Sequence, residues 1–235
     1  LLLGVLAYLT VGPLIMLLWD SFHPGYAFGE VTGFTLASYA KVILDKNFLK
    51  MILNTAIFGL GATGLAVGLG SVFAWLVERT NMPFRNVIYA SLFAPVAIPG
   101  LVFAISYVLL LSPDIGVLNK FLMFIFGLEK APLNIYTLTG LIFVEGLRLT
   151  PGSFLMMAAV LKSMDPSLEE AGYTTGTGVL QTARLITAPL MLPGILAAFI
   201  YFFITVIESF EIPAIIALPV GLHLLTTKIF FATHT

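Results

Sequence analysis

Residues Ser163 to Gly194 read SMDPSLEEAGYTTGTGVLQTARLITAPLMLPG and form the longest polar interruption in the second half of an otherwise apolar chain. Long hydrophobic runs flank this stretch on both sides. The stretch itself has local order: a good N-capping residue, an acidic first turn, a glycine break, a second amphipathic piece and two prolines. A plain connection between two membrane spans does not need so much order. The pattern therefore favours a surface on which another molecule docks.

The composition is that of an integral membrane protein. Of the 235 residues, 59% are hydrophobic and only 10% are charged, whereas a soluble domain carries about 25% charge. A soluble protein of this length would need a polar exterior, so the solvent of this chain is mostly lipid. The net charge of −1 gives no bias toward nucleic acid. The lack of cysteine excludes disulfides and thiolate chemistry, and the three histidines show no ligand spacing, so no metal or cofactor is predicted.

Five apolar runs reach the roughly 20 residues that a helix needs to cross a bilayer. Backbone polar groups in lipid must be satisfied within their own segment, so these runs are predicted to be helices. The first run lacks the basic region and the cleavage site of a signal peptide and is predicted to be a span. The five predicted spans are Leu1–Trp19, Met51–Val77, Val87–Leu111, Thr137–Leu161 and Leu190–Leu218.

Glycines and prolines mark two of these spans. Gly64 and Gly68 form a G-x-x-x-G step, which lets a neighbouring helix approach closely. Pro95 and Pro99 predict a kink or a break in the third span. Such a break is either an ordinary proline of a membrane helix or part of a transport path.

Four ionisable side chains fall inside the predicted spans, where they are usually paired or functional. Glu145 and Arg148 lie at i and i+3, so they can pair with each other or form a latch between helices or subunits. Glu208 and Glu211 are predicted to share one face of the fifth span without a basic neighbour. That acidic face fits a passage for cations; the alternatives are an external helix end and a contact with a partner subunit.

The first part of the polar stretch is predicted to be a short helix. Asp165 is a good N-cap and Pro166 suits the first helical position. Ser167 and Glu170 also have the spacing of a capping box, which leaves the exact start open. Glu169 and Glu170 lie near the positive end of the helix dipole.

A glycine turn and a second helix follow. Leu168, Ala171 and Gly172 give the first helix one smooth face of small residues, and Gly176 is a natural helix stop. Apolar residues at helical spacing predict the second helix over Val179–Ile186. A hairpin that lies on the membrane without a partner is the alternative, but such a helix favours Lys and Arg on its polar face. Two glutamates and a smooth face fit a protein groove better.

The polar stretch also resembles a known signature, the EAA motif of binding-protein-dependent ABC importer permeases, which is written E-A-A-x3-G-x9-I-x-L-P. Every spacing matches, with Gly172 in place of the second Ala and Ala188 in place of the Leu. Three further segments resemble the subgroup of this family that handles iron(III), thiamine and polyamines. The segments that carry the resemblance are Glu170–Gly172, Gly176, Ile186–Pro189, Leu92–Gly100, Met164–Ala171 and Glu208–Ala214.

The resemblance implies the fold of a type I ABC importer permease, an all-α membrane protein. Residues 1–50 would hold the first span and a periplasmic loop, and residues 51–235 a truncated permease core. That core would carry a cytoplasmic coupling hairpin at 163–189, with a sixth span expected after Thr235. The cytoplasmic side agrees with the density of Lys and Arg there, at Arg79, Arg85, Lys162 and Arg184.

The predicted functional residues form two sets, the first from the resemblance and the second from the prolines and charges inside the spans. The first set would couple the chain to an ATPase, and Pro189 of this set would open the fifth span. The second set would line the translocation path. The coupling set is Asp165, Leu168, Glu169, Glu170, Ala171, Gly172, Gly176, Ile186 and Pro189, and the path set is Pro95, Pro99, Glu145, Arg148, Glu208 and Glu211.

The function implied is that of a permease in the bacterial inner membrane. The sequence has no G-x-x-x-x-G-K-[ST] motif, so the chain is predicted to be no enzyme and to rely on an ATPase subunit dimer. A periplasmic binding protein would deliver a small solute, with ferric iron the first candidate and thiamine or polyamines as alternatives. A second permease half would complete the assembly, as a homodimer, a heterodimer or a fused chain. An ion-coupled secondary transporter, with midspan acids as coupling sites, is the competing hypothesis.

Overall fold

The computed structural model describes residues 2–23, 33–174 and 176–234. Every regular element in these ranges is helical, which confirms the predicted all-α fold. The helices are α1 (Leu2–Phe22), α2 (Ala37–Ile43), α3 (Phe48–Arg79), α4 (Arg85–Phe93), α5 (Gly100–Leu111), α6 (Val117–Phe126), α7 (Leu138–Ser163), α8 (Ser167–Thr174), α9 (Val179–Thr182), α10 (Ala188–Glu208), α11 (Glu211–Ile216) and α12 (Leu225–His234).

The chain divides into two compact units, residues 1–50 and residues 51–235. The first unit contains α1, the short α2, which the sequence did not predict, and the start of α3. An aromatic cluster organises this unit: the rings of Phe22 and Phe34 stack with centroids 5.1 Å apart. The hydroxyl groups of Ser21 and Tyr39 lie 2.7 Å apart.

Four helical segments in the described ranges are long and apolar enough to cross a membrane, and a bent pair raises the number to five. These segments confirm the first, second and fourth predicted spans to within a few residues. The four are Gly4–Phe22, Phe48–Arg79, Leu138–Ser163 and Val179–Glu208.

The bent pair is the predicted third span, broken into two parts. Arg85–Ala97 and Gly100–Leu111 meet at an angle of 109°. Ile98 and Pro99 between them are extended, with ψ of 122° and 141°. Proline cannot donate a helical hydrogen bond and pushes the preceding residue out of the α region. The expectation of a kink or break at Pro95 and Pro99 is confirmed as a break before α5.

The predicted fifth span, Leu190–Leu218, is wrong at both ends. The helix starts earlier and ends at Glu208, where Ser209 becomes extended with ψ of 128°. A separate helix, α11, follows and packs against α5. The Thr226 hydroxyl donates to the Ser209 carbonyl at 3.0 Å. This carbonyl at the end of α10 would otherwise lack a hydrogen-bond partner within the helix. The composition stays apolar across the break, so hydropathy could not reveal it.

Pro189 was predicted to open the fifth span; it does lie in the first turn of α10, but the helix itself does not begin there. Helix α9 continues through a wide π turn over Ala183–Thr187 directly into α10. The Ala188 N–H donates to the Ala183 carbonyl, five residues back. A π turn shifts the hydrogen-bond register at the point where proline has no N–H to donate.

The core of the second unit is built around α7. Its buried side chains face α3, whose small residues Ala62, Ala66 and Ala74 are fully buried. At Gly70 the helices approach so closely that a Cβ would lie 2.7 Å from the backbone N of Phe154. The predicted packing step makes no contact among the described residues, because none of their atoms lies within 4 Å of a Cβ built at Gly64 or Gly68.

The connection after α5 is held by a single buried amide, that of Asn119. Its Nδ2 donates to the carbonyls of Leu111 at 3.1 Å and Ser112 at 2.9 Å, at the end of α5. The same side chain also bonds the backbone carbonyl and N–H of Leu133. One side chain therefore caps a helix and fixes the long loop beyond α6.

We expect Gly70→Ala to destabilise the protein, because the added methyl group overlaps the backbone of α7, which cannot move without shifting the core. Overpacking of this kind costs about 1–3 kcal/mol. The matched control is Gly68→Ala, which adds the same group to the same helix in open space and removes the intrinsic penalty of glycine in a helix. Thermal unfolding in detergent measures both, and equal melting temperatures would contradict the close approach at Gly70.

Candidate functional site

The polar stretch folds as a hairpin of α8 and the start of the α9–α10 helix; we call residues 163–189 the hairpin. Its first helix is capped by Asp165, whose Oδ1 accepts from the Ser167 N–H at 2.9 Å. That hydrogen bond holds the pKa of the Asp165 carboxyl below its usual range. The cap is therefore complete above a pH of about 4 and is lost only as the pH falls through the lowered value. Of the two predicted starts, Asp165 is the one that the hydrogen bonds support.

Gly176 reverses the chain with a φ of 88°, a left-handed conformation that favours glycine. The Gly176 N–H donates to the Tyr173 carbonyl and the Thr177 N–H to the Gly172 carbonyl, at 3.1 and 3.2 Å. This pair of bonds is the Schellman pattern that closes a helix C-terminus. The predicted glycine stop is confirmed.

The two limbs of the hairpin pack through small and hydroxylated residues. A Cβ at Gly172 would lie 2.9 Å from Ile186 Cδ1, so Gly172 is buried between the limbs. The hydroxyl groups of Thr177 and Thr182 lie 2.9 Å apart beside it. Gly172 therefore faces inward, and the expectation that it shares an exposed face with Leu168 and Ala171 is wrong.

Glu169 is the electrostatic centre of the hairpin and is only 5% exposed. Its Oε2 lies 3.1 Å from Arg79 Nε, at the last residue of α3. Its Oε1 accepts from the Thr187 hydroxyl at 2.6 Å, which ties α8 to the start of the fifth span. Arg79 also donates through Nη2 to the carbonyls of Leu161 at 2.7 Å and Met164 at 3.1 Å, at the end of α7.

Sequence reasoning identified Glu169 as a site residue but did not find Arg79 or Thr187 as its partners. In the sequence, Arg79 indicates only the topology. Arg79 and Glu169 are 90 positions apart and share no spacing signal, because the contact depends on how α3 packs on α7. A buried arginine at the end of a long apolar helix is nevertheless a hint that an acidic partner lies nearby.

The hairpin exposes several large hydrophobic side chains among its polar ones. Glu170 and Ala171 are exposed, and Leu180 reaches 78% exposure. The predicted coupling residues therefore divide: Glu169 and Gly172 are buried, whereas Leu168, Glu170 and Ala171 are exposed. The exposed hydrophobic side chains of the hairpin are Leu168, Tyr173, Val179, Leu180 and Leu185.

A second polar cluster lies where α5, α7, α10 and α11 meet; we call Glu145, Arg148, Ser209 and Glu211 the intramembrane cluster. Glu145 is fully buried and pairs with Arg148 of the same helix. The Ser209 hydroxyl donates to Glu145 Oε2 at 3.2 Å. Glu211 Oε2 lies against Gly100, at the start of α5, where a Cβ would also be 3.8 Å from Arg148 Cδ.

The intramembrane cluster joins side chains that the sequence placed in separate groups. Glu145 and Arg148 do form the predicted ion pair, and Glu211 reaches the same region from α11, where its carboxylate lies against Gly100. The expectation that Glu208 and Glu211 share a helical face is wrong, because Glu208 ends α10 and Glu211 begins α11. Glu208 is exposed, whereas Pro99 lies directly beside the cluster through Gly100.

A third polar group lies near the hairpin at the end of α3. Glu78 pairs with Arg85 at 2.8 Å and with Lys162 at 3.5 Å, and it accepts from the Tyr89 hydroxyl. Within residues 2–23, 33–174 and 176–234, no group of three or more His, Asp or Glu is placed to hold a metal ion.

Known proteins are similar to this chain in sequence. The family model of the binding-protein-dependent transport system inner membrane component matches residues 66–233. A ferric transport system permease protein of Actinobacillus pleuropneumoniae is 26% identical over 193 residues, which cover 80% of this chain and 27% of that protein. A galactooligosaccharides transport system permease protein of Bacillus subtilis is 28% identical over 168 residues, which cover 68% of this chain and 40% of that protein. The chain thus spans well under half the length of these two relatives.

A solved structure shares the fold. One chain in the crystal structure of a bacterial alginate ABC transporter, bound to an alginate pentasaccharide-loaded periplasmic protein, superimposes with a TM-score of 0.76 at 20% identity. The match covers 97% of this chain and 80% of that chain. The family match covers most of the sequence, and the multiple apolar helices agree with it. The chain therefore belongs to the family of binding-protein-dependent transport system inner membrane components, with the fold of a type I ABC importer permease.

Proposed function

We propose that this chain is the membrane-spanning permease part of an ATP-driven importer and that the hairpin docks into an ATPase subunit. The observation that carries the proposal is the two-sided construction of the hairpin. Its interior is fixed by the Glu169 contacts, while Leu168 and Leu180 are exposed on its surface, at 48% and 78%. A rigid element with an apolar outer face is the form that helix-in-groove recognition requires.

The proposed machine takes its energy from outside this chain. The sequence contains no phosphate-binding G-x-x-x-x-G-K-[ST] loop, so ATP would be hydrolysed in the docked subunit. A periplasmic binding protein would supply the solute, and a second permease half would complete the path. The family match and the shared fold support this assembly over an ion-coupled secondary transporter, which has no need for a structured docking hairpin.

We further propose that the intramembrane cluster lines the path of the solute. It lies at the break before α5, and breaks in spanning helices are tolerated where they face protein or a cavity. Glu145 pairs with Arg148 and the Glu211 carboxylate lies near them, so two carboxylates and one guanidinium make the cluster acidic and favour a cation. Pro95, Pro99 and Glu208 would belong to the same path through the break and through the end of α10.

Ferric iron is the first candidate for the solute, with thiamine or a polyamine as alternatives. The acidic cluster and the ferric transport relative support a cationic solute. The galactooligosaccharides relative shows that permeases similar to this chain serve other solute classes. The charge of the cluster is therefore the property to test.

For the docking role, we expect the double variant Leu168→Glu, Leu180→Glu to lose the ATPase subunit. Removing two apolar anchors from an interface costs about 2 kcal/mol or more, a roughly thirtyfold weaker Kd. The measurement is co-purification with the co-expressed ATP-binding-cassette subunit of the same transporter. Gln181→Glu is the control, since it adds a charge to the same exposed limb without removing an apolar side chain. Undiminished co-purification of the double variant would exclude docking through this face.

For the solute path, we expect Glu211→Gln to slow the uptake of a cationic solute. Focusing of ions by fixed charges changes association rates by about tenfold or more, and the effect weakens with salt. Uptake of radioactive ferric iron, thiamine and spermidine into reconstituted vesicles is compared at low and high ionic strength. Glu129→Gln serves as the control because Glu129 is exposed in the loop after α6, outside the proposed path. Equal uptake by Glu211→Gln and the unmodified protein would contradict the proposal that the cluster lines a path for cations.

A further inference from the structure

We infer that Arg79 is a positioning residue that fastens the hairpin to α3, so that a displacement of the hairpin moves α3 as well. The inference rests on the proposed docking function of the hairpin. It adds a path by which movement of the hairpin is transmitted to α3. Neither the family match nor the relatives assign a role to Arg79, and the sequence motif that marks the hairpin lies 90 residues away.

The geometry of Arg79 is that of a junction between three elements. Its guanidinium contacts the Glu169 carboxylate of α8 and the carbonyls of Leu161 and Met164 at the end of α7, all within 3.1 Å. The side chains of Arg79 and Glu169 are only 12% and 7% exposed. A planar fork of donors can serve several acceptors at once, whereas the single ammonium of lysine acts as a point charge.

The two ends of the hairpin are joined to the spanning helices by different backbone structures. The Arg79 contact matters because it adds a noncovalent link to a third helix. At the start of the hairpin, Met164 is extended with ψ of 137° and joins α7 to α8 without a helix. At the other end, α9 passes through the π turn into α10 without interruption. Thr187 in that turn bonds the same carboxylate of Glu169. Glu169 is therefore linked to α10 by Thr187 and to α3 by Arg79.

Helix α3 carries this connection to the opposite end of the unit. Thr55 lies 24 residues before Arg79, a distance of about 36 Å along a helix that rises 1.5 Å per residue. The Thr55 hydroxyl accepts from the Leu225 N–H at 3.1 Å, at the start of α12. The close approach at Gly70 braces α3 against α7 between these two points. A shift of the hairpin is thus transmitted to α3 and α10 together.

The test uses Arg79→Lys and Glu169→Gln in the transporter reconstituted with its ATPase subunit and binding protein. We expect both variants to retain the ATPase subunit and to hydrolyse ATP, while solute transported per ATP falls about tenfold, within the usual range of coupling between two sites. The double variant should be no worse than the poorer single variant, because both remove the same contact. Arg85→Lys is the control, since Arg85 pairs with Glu78 at the same end of α3.

A second measurement needs no partner. Hydrogen exchange of the purified full chain should show faster exchange of the backbone amides of α8 in Arg79→Lys than in Arg85→Lys, with α7 amides at Leu141–Met157 unchanged. Unchanged exchange in α8, or an unchanged ratio of solute to ATP in Glu169→Gln, would overturn the role of Arg79. Failure of the unmodified chain to retain the ATPase subunit would instead refute the proposed docking function. If Arg79→Lys does not accumulate, Glu169→Gln carries both measurements.

Discussion

The end of a helix in or near a bilayer leaves carbonyl groups that water cannot reach, and the structure depends on how these groups are satisfied. Polar side chains from other segments of the chain perform this role at three helix ends. Arg79 binds the carbonyls at the end of α7, Asn119 those at the end of α5, and Thr226 the one after α10. Each contact also fixes the segment that follows the helix.

The functional regions coincide with these interrupted helices. The hairpin begins where α7 ends, and the Arg79 guanidinium that caps α7 also binds Glu169 of the hairpin. The intramembrane cluster forms where the third span breaks before Gly100 and the fifth ends before Ser209. Charged groups can remain there because each carboxylate finds a cation, a hydroxyl group or a helix N-terminus nearby. Continuous helices elsewhere in the described ranges supply the apolar frame.

Local signals in the sequence predicted much of the hairpin and little of its surroundings. Asp165 as a cap and Gly176 as a stop follow from backbone chemistry that acts over a few residues, and both are observed. The prediction that Gly172 lies on the exposed face of α8 was wrong, because its packing against Ile186 buries it inside the hairpin. The end of the fifth span at Glu208 was also missed, since apolar composition continues through the break and only Thr226 and the packing of α11 on α5 sustain it.

The sequence by itself determined that the chain is a helical membrane protein, where its first, second and fourth spans lie, and that the polar stretch forms a capped hairpin of a permease family. These properties depend on hydropathy and on short-range backbone preferences, which are written in neighbouring residues. Only the tertiary structure decided that Arg79 meets Glu169 and that Glu145, Arg148 and Glu211 form one cluster. Arg79 and Glu169 are 90 positions apart, and Glu211 lies 63 positions beyond Arg148; such residues meet across helices whose relative rotation is set by packing, as at Gly70.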